Sequence, residues 1–266
     1  MPNIQVNGVE LYYELHGAEN APLLVLNNGI LMNAAGSWVF QTRTLASHHR
    51  VLQYDCRGQG QSQHPSEPYT MEVHADDLAA LLSTLGYEKA HIAGISYGGE
   101  VGQAFALKYP EKCRSLILAD TVSEVGPELQ INVRGWMDAA RSRDAEAFFN
   151  VTVPWNFSAG FISANPGLLA DARKRYEKLD FDAILNLCDC FLKVDYTARL
   201  NEIKCPTCVM VGSKDILKGE NYALILKKGI PQAELHILYG AGHASCWERP
   251  EEFNAVVLGF LAKQPG

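Results

Sequence analysis

Short apolar runs alternate with helical periodicities along most of the chain. Leu23-Leu24-Val25-Leu26 is continuously apolar, and Val51-Leu52-Gln53-Tyr54 nearly so. This is the pattern of strands buried on both faces. Residues 90–93, 116–119, 208–211 and 235–238 repeat it. Between these runs lie helical patterns. Leu78, Leu81, Leu82 and Leu85 recur at i, i+3, i+4 and i+7 and close at Gly86. Val101, Ala104, Phe105 and Leu107 stop before Pro110. Phe253, Val256, Val257, Phe260 and Leu261 follow Pro250, a natural first helical position. Near the N-terminus, Ile4-Gln5-Val6 and residues 9–13 flank Asn7-Gly8, a favoured hairpin pair. Strands alternating with helices predict an α/β fold: eight strands, mostly parallel, with an antiparallel N-terminal edge and helices on both faces.

One stretch breaks the rhythm. Residues 121–200 carry helical patterns punctuated by Pro127, Pro154 and Pro166, without a strong strand signal. An insertion of this length is too long for a bare loop. It is expected to be a helical cap over the C-terminal edge of the sheet. Residues 1–120 and 201–266 then form the core and residues 121–200 the cap.

A strand followed at once by a helix frames Gly94-Ile95-Ser96-Tyr97-Gly98-Gly99. A serine between two glycines at such a turn is the pattern of a nucleophile elbow. The pentapeptide is common by chance, so the flanking strand and helix carry the argument. A free hydroxyl is a poor nucleophile and needs a base. His243, in Gly240-Ala241-Gly242-His243, follows the last strand and lies at the same sheet edge as Ser96. The other histidines compete poorly: His48 and His49 precede a strand, His91 and His236 lie inside strands, His64 and His74 belong to a surface connection, and His16 ends the hairpin.

The order of hairpin, elbow, helical insertion, acidic loop and late histidine resembles the α/β-hydrolase superfamily over essentially the whole chain. The N-terminal third is similar to 3-oxoadipate enol-lactonases and small microbial carboxylesterases. The resemblance implies a Ser-His-Asp triad of Ser96, His243 and Asp215, the acid lying in Gly212-Ser213-Lys214-Asp215. Asp120, ending the preceding strand, is the rival acid. Backbone N–H groups of Tyr97 and Ile30 are the implied oxyanion hole. Asn28 stands where many relatives carry histidine before Gly29. Asp55 and Arg57 are expected to organise a turn, and Glu100 to complement the dipole of its helix. Trp155 and Phe157 are candidates for lining an acyl pocket. Arg134, Arg141 and Arg143 are candidates to meet an anionic substrate.

The implied activity is hydrolysis of small to medium carboxylic esters or lactones through an acyl-enzyme on Ser96. Its partner is a small ester, lactone or thioester. The alternative is an acyltransferase joining 3-hydroxyacyl chains from a thioester donor, which the Asn28-Gly29 loop resembles. A hydrolase-fold ligand sensor is a third reading.

Composition narrows the rest. With 266 residues and 47% hydrophobic content, no staples are needed to hold a core. The formal charge is −7, and the densest basic cluster, Arg173-Lys174-Arg175, spreads around a helix, which argues against nucleic-acid partners. No apolar run approaches the roughly 18–20 residues of a membrane span. The start lacks a basic region followed by an apolar core, so a cytoplasmic protein is expected. Seven scattered cysteines fit reduced thiols. Cys205-Pro206-Thr207-Cys208 matches C-x-x-C but enters a strand, so structural thiols are expected there. Cys188 and Cys190 lack a second pair. No metal and no cofactor are implied.

Overall fold

The computed structural model describes residues 2–264. The strands are β1 (Asn3–Val6), β2 (Val9–His16), β3 (Leu23–Asn27), β4 (Arg50–Tyr54), β5 (Ala90–Ile95), β6 (Cys113–Ala119), β7 (Thr207–Gly212) and β8 (Glu234–Leu238). They form one eight-stranded sheet in the order β1-β2-β4-β3-β5-β6-β7-β8. The first two strands pair antiparallel across Asn7-Gly8, and β2 runs antiparallel to β4. All remaining neighbours are parallel.

Two short helices, α1 (Ala34–Ser37) and α2 (Thr42–Ala46), precede β4, and α3 (Met71–Thr84) follows it. Helix α4 (Tyr97–Lys108) follows β5. Between β6 and β7 run α5 (Pro127–Arg141), α6 (Ala145–Asn156), α7 (Ala159–Ala164), α8 (Pro166–Tyr176) and α9 (Phe181–Phe191). Helix α10 (Glu220–Gly229) precedes β8, and α11 (Ser245–Glu248) and α12 (Pro250–Leu261) follow it.

The apolar runs work because successive side chains of a strand point to opposite faces. Leu24, Leu26, Val51, Ala93, Ile95 and Ile117 pack on one face with Trp38, Phe253, Val257 and Phe260. Leu23, Val25, Leu52, Ile92, Leu116 and Leu118 pack on the other with Leu78, Leu81, Val101 and Phe105. A sheet covered twice tolerates no polar alternation in its middle strands, hence the unbroken runs read from the sequence.

The seven cysteines are free thiols. Cys208 packs in the layer under α12, whereas the Cys205 Sγ lies 3.7 Å from Cys113 Sγ at the start of β6. The C-x-x-C spacing therefore does not bring its own two sulfurs together, because strand entry sends them different ways. No helix among the described residues is long and apolar enough to cross a membrane.

The chain leaves β3 toward β4 on one side and later places β5 on the other. At such a reversal of strand order, the loops after the strands part and leave a crevice at the carboxyl edge. The loops after β3, β5, β6, β7 and β8 carry Asn28, Ser96, Asp120, Asp215 and His243 respectively.

Candidate active site

Ser96 sits at the cap of α4 with φ 54 and ψ −122. A non-glycine residue held there stores roughly 1–3 kcal/mol of strain, so the surroundings must enforce it. They do so by close backbone approach. A Cβ on Gly94 would collide with the Gly98 carbonyl oxygen, and one on Gly98 with the Asn27 carbonyl oxygen of β3. The Ser96 N–H donates to the Ala119 carbonyl at 2.9 Å, tying the turn to β6. Gly98→Ala is therefore expected to destabilise the fold by at least about 3 kcal/mol, since backbone rather than a flexible side chain must move. Thermal melting checks this, and a native melting temperature would contradict it.

His243 is carried by a loop pressed onto β7. A Cβ on Gly212 would strike the Gly242 carbonyl oxygen, and the Lys214 N–H donates to the Ala241 carbonyl at 2.7 Å. The His243 Nε2 lies 2.9 Å from the Ser96 hydroxyl, and its Nδ1 lies 2.8 Å from Asp215 Oδ2. All three side chains are buried. A carboxylate can only accept, so the hydrogen belongs on Nδ1, leaving the Nε2 lone pair for the serine O–H. The other Asp215 oxygen accepts the N–H groups of Leu217 (2.8 Å) and Lys218 (2.9 Å).

Asp120 is directed elsewhere. Its backbone is left-handed (φ 47), one oxygen accepts the Gly212 N–H at 2.8 Å, and the other accepts the Ser245 hydroxyl. Burial, and then the charge of Asp215, push its carboxyl well above the usual range.

The loop after β3 runs beside Ser96: a Cβ on Gly29 would lie 3.8 Å from Ser96 Cβ. Asn28 holds this loop from both sides of its amide. It donates to the Tyr54 carbonyl at 2.8 Å and accepts from Trp38 Nε1 at 3.0 Å. Gln59 donates to the Gly29 carbonyl at 3.0 Å. Ile30 lines the cavity beside Ser96. Tyr97 opens α4, so its N–H has no acceptor within the helix. Its hydroxyl lies 2.8 Å from His74 Nε2. Burial, and then the nearby Arg57 charge, pull His74 down to about 3, so a neutral ring faces the Tyr97 hydroxyl. His74 thus belongs to the core of α3 rather than to a surface connection. Asp55 accepts the N–H groups of Ala34 (2.6 Å) and Gln61 (2.8 Å), and Arg57 forms a two-pronged pair with Asp77. Both organise the loops around the crevice.

A cavity of about 560 Å³ opens over Ser96 and His243. Its walls are mainly apolar: Leu129, Val133 and Trp136 of α5, Val153 of α6, Ile184, Leu187 and Phe191 of α9. Phe157 lines it; Trp155 does not and is 37% exposed. The expectation for Trp155 is corrected by helix geometry. Phe148, Phe149, Thr152 and Val153 are the buried face of α6, and Trp155 projects away from it. Among the arginines offered for an anionic substrate, Arg141 pairs with Asp138 and Arg143 with Asp182, and Arg134 is absent from the cavity lining. Arg175 and Lys178 are the cations reaching the lining from α8 and the turn after it, and neither forms a salt bridge among the described residues. Glu100 is more than a dipole complement: it is buried and accepts Lys218 Nζ at 2.9 and 3.1 Å, across 118 residues of sequence. No local pattern signals a contact of that span.

A hydroxyl, an imidazole and a carboxylate in one hydrogen-bonded chain can move a proton off oxygen as that oxygen attacks a carbonyl. The chain is 30% identical to a protein described as a putative carbamate hydrolase RutD from Azorhizobium caulinodans, over 99% of each chain. In structure it is similar to MGS-M2, an alpha/beta hydrolase enzyme from a Medee basin deep-sea metagenome library. That match has a TM-score of 0.94 and 29% identity, covering 100% of this chain and 98% of the other. It is also similar to the enol-lactonase from Burkholderia xenovorans LB400, with a TM-score of 0.92 and 30% identity over 98% of this chain and 100% of that one. The model of the alpha/beta hydrolase fold family matches residues 22–250, and the chain belongs to that family.

Proposed function

We propose that this protein is a serine hydrolase of small to medium carboxylic esters or lactones, working through an acyl-enzyme on Ser96. The observation that carries the reading is the unbroken Ser96–His243–Asp215 hydrogen-bond chain at the floor of an apolar cavity. Ser96 Oγ adds to the substrate carbonyl carbon while His243 Nε2 takes the hydroxyl proton. Asp215 holds the imidazole and stabilises the imidazolium. The oxyanion rests on the N–H groups of Ile30 and Tyr97. His243 then gives its proton to the departing alkoxide oxygen, and the acyl group stays on Ser96. Water loses a proton to His243, adds to the acyl carbon, and releases the acid as Ser96 recovers its proton. In a lactone the leaving hydroxyl remains tethered, and the product is a hydroxy acid.

The relatives support a carbonyl substrate with an oxygen or nitrogen leaving group: enol-lactonases and proteins described as putative carbamate hydrolases stand side by side among them. The deciding experiment is labelling with a fluorophosphonate followed by peptide mapping. Modification at Ser96 with loss of ester hydrolysis is expected. Label at another residue of active protein overturns the reading. Transfer to an alcohol runs through the same acyl-enzyme. A 3-hydroxy acid added to a thioester assay separates the two, because only transfer yields a new ester bond.

Arg175 and Lys178 beside an apolar interior favour substrates with a negative group remote from the scissile bond. R175A/K178A is expected to raise KM for esters bearing a distal carboxylate by about three- to tenfold, the scale of one or two exposed ion pairs. Neutral esters of equal length keep their KM. Equal effects on both classes would remove charge recognition from the account.

A further inference from the structure

The Glu100–Lys218 pair touches both halves of the site and has no role in the chemistry above. Glu100 is fully buried one turn after Ser96, and Lys218 is 4% exposed and lines the cavity. The Thr121 hydroxyl lies 2.5 Å from Glu100 Oε1 and 2.9 Å from the Ser96 carbonyl oxygen. The Val122 N–H donates to the same carboxylate oxygen at 3.1 Å. The Glu100 end is therefore fixed to the turn that presents the nucleophile. At the other end, the Lys218 ammonium sits 4.2 Å from the centre of the Phe191 ring, and its own backbone N–H binds Asp215 Oδ1.

We propose that Glu100 and Lys218 are positioning residues: their buried ion pair is a strut that sets the Asp215 carboxylate relative to Ser96. This rests on the reading of Asp215 as the orienting acid. Stability alone is a poor reason for the pair. Taking two charges out of water costs several kcal/mol each, and apolar residues of similar volume often serve as well or better. A bidentate pair between two elements does what an apolar contact does less well: it fixes a separation and an angle. The Asp215 turn has need of that. It holds its carboxylate through two consecutive N–H groups, those of residues 217 and 218, and residue 218 is itself the tethered one.

The test compares native protein with E100Q/K218M and with E100D. The double variant removes both charges, leaves no ion unpaired and keeps an acceptor for Thr121 and Val122. E100D keeps both charges, so it guards against loss of folding, but draws the carboxylate back by one methylene. Hydrogen exchange at the amides of residues 217 and 218 reads the strut directly and does not depend on activity. In the folded variants, exchange about tenfold faster at those two amides is expected, with amides in β3 and β5 unchanged. A kcat for p-nitrophenyl esters about ten- to a hundredfold lower at near-constant KM is expected alongside, the cost of slight misplacement. Native exchange at residues 217 and 218 in E100D, or in a folded double variant, overturns the strut. Faster exchange with native kcat overturns its role in the reaction. If the native protein hydrolyses no ester and takes no fluorophosphonate, the hydrolase reading fails, and the exchange experiment still decides whether the pair holds the turn.

Discussion

Replacing Ser96 with alanine is expected to lower kcat toward p-nitrophenyl esters by about 10⁴- to 10⁶-fold, with KM changed little. The hydroxyl oxygen is the only heavy atom lost. In the proposed reaction it supplies the bond to the acyl group, while the apolar walls from α5, α6 and α9 supply the binding. The loss corresponds to roughly 5–8 kcal/mol of transition-state stabilisation. Stability should barely move, because alanine meets the same left-handed backbone that serine already occupies (φ 54). The check is steady-state kinetics together with thermal melting on the same preparation. An S96A protein with activity within tenfold of native would place the nucleophile elsewhere and dismantle the acyl-enzyme scheme.

The second large effect separates two buried carboxyls. D215N is expected to lower kcat by about 10⁴-fold. An asparagine turned with its NH₂ toward His243 would donate to Nδ1. The imidazole hydrogen would then move to Nε2, and Ser96 would face a donor instead of a base. D120N is expected to stay within about tenfold of native. Burial and the Asp215 charge already favour the protonated form of Asp120, which an amide imitates. Asn can still accept the Gly212 N–H and meet the Ser245 hydroxyl.

The same shift gives a stability signature. An acid whose folded pKa lies above its unfolded value binds its proton longer in the folded state, so rising pH costs it stability from the unfolded value upward. Relative to native protein, D120N is therefore expected to gain stability as pH rises above about 4, until the native carboxyl itself ionises. Denaturant melts at two or three pH values measure this. A D120N protein that is as inactive as D215N would exchange the roles of the two acids.

How far the sequence carried this site differs residue by residue. Ser96 and His243 were legible because each sits in a short segment whose local pattern fixes its place: a strand end, a glycine-permitted turn, a helix start. The inner strands were legible because a doubly covered sheet demands apolar runs, and the first two because Asn7-Gly8 marks a hairpin turn. The choice between Asp120 and Asp215 was less so. Both follow neighbouring parallel strands, and only the direction of each side chain, toward Ser245 and Gly212 or toward His243, distinguishes them. Trp155 and Phe157, two residues apart, were offered together. The end of α6 turns one outward and leaves the other on the cavity.

What the chain determined by itself was the architecture and the placing of reactive groups at one sheet edge. Hydrophobic periodicity and turn chemistry act over a few residues, and strand ends follow from them. What the tertiary structure alone decided was everything set by approach between distant segments. The Glu100–Lys218 pair spans 118 positions, Cys205 lies beside Cys113 rather than Cys208, and α8 with the turn after it, instead of α5, brings Arg175 and Lys178 to the cavity. Such contacts depend on how helices pack over the sheet. That packing is a sum of many weak contacts among residues far apart in sequence, and no short pattern encodes it.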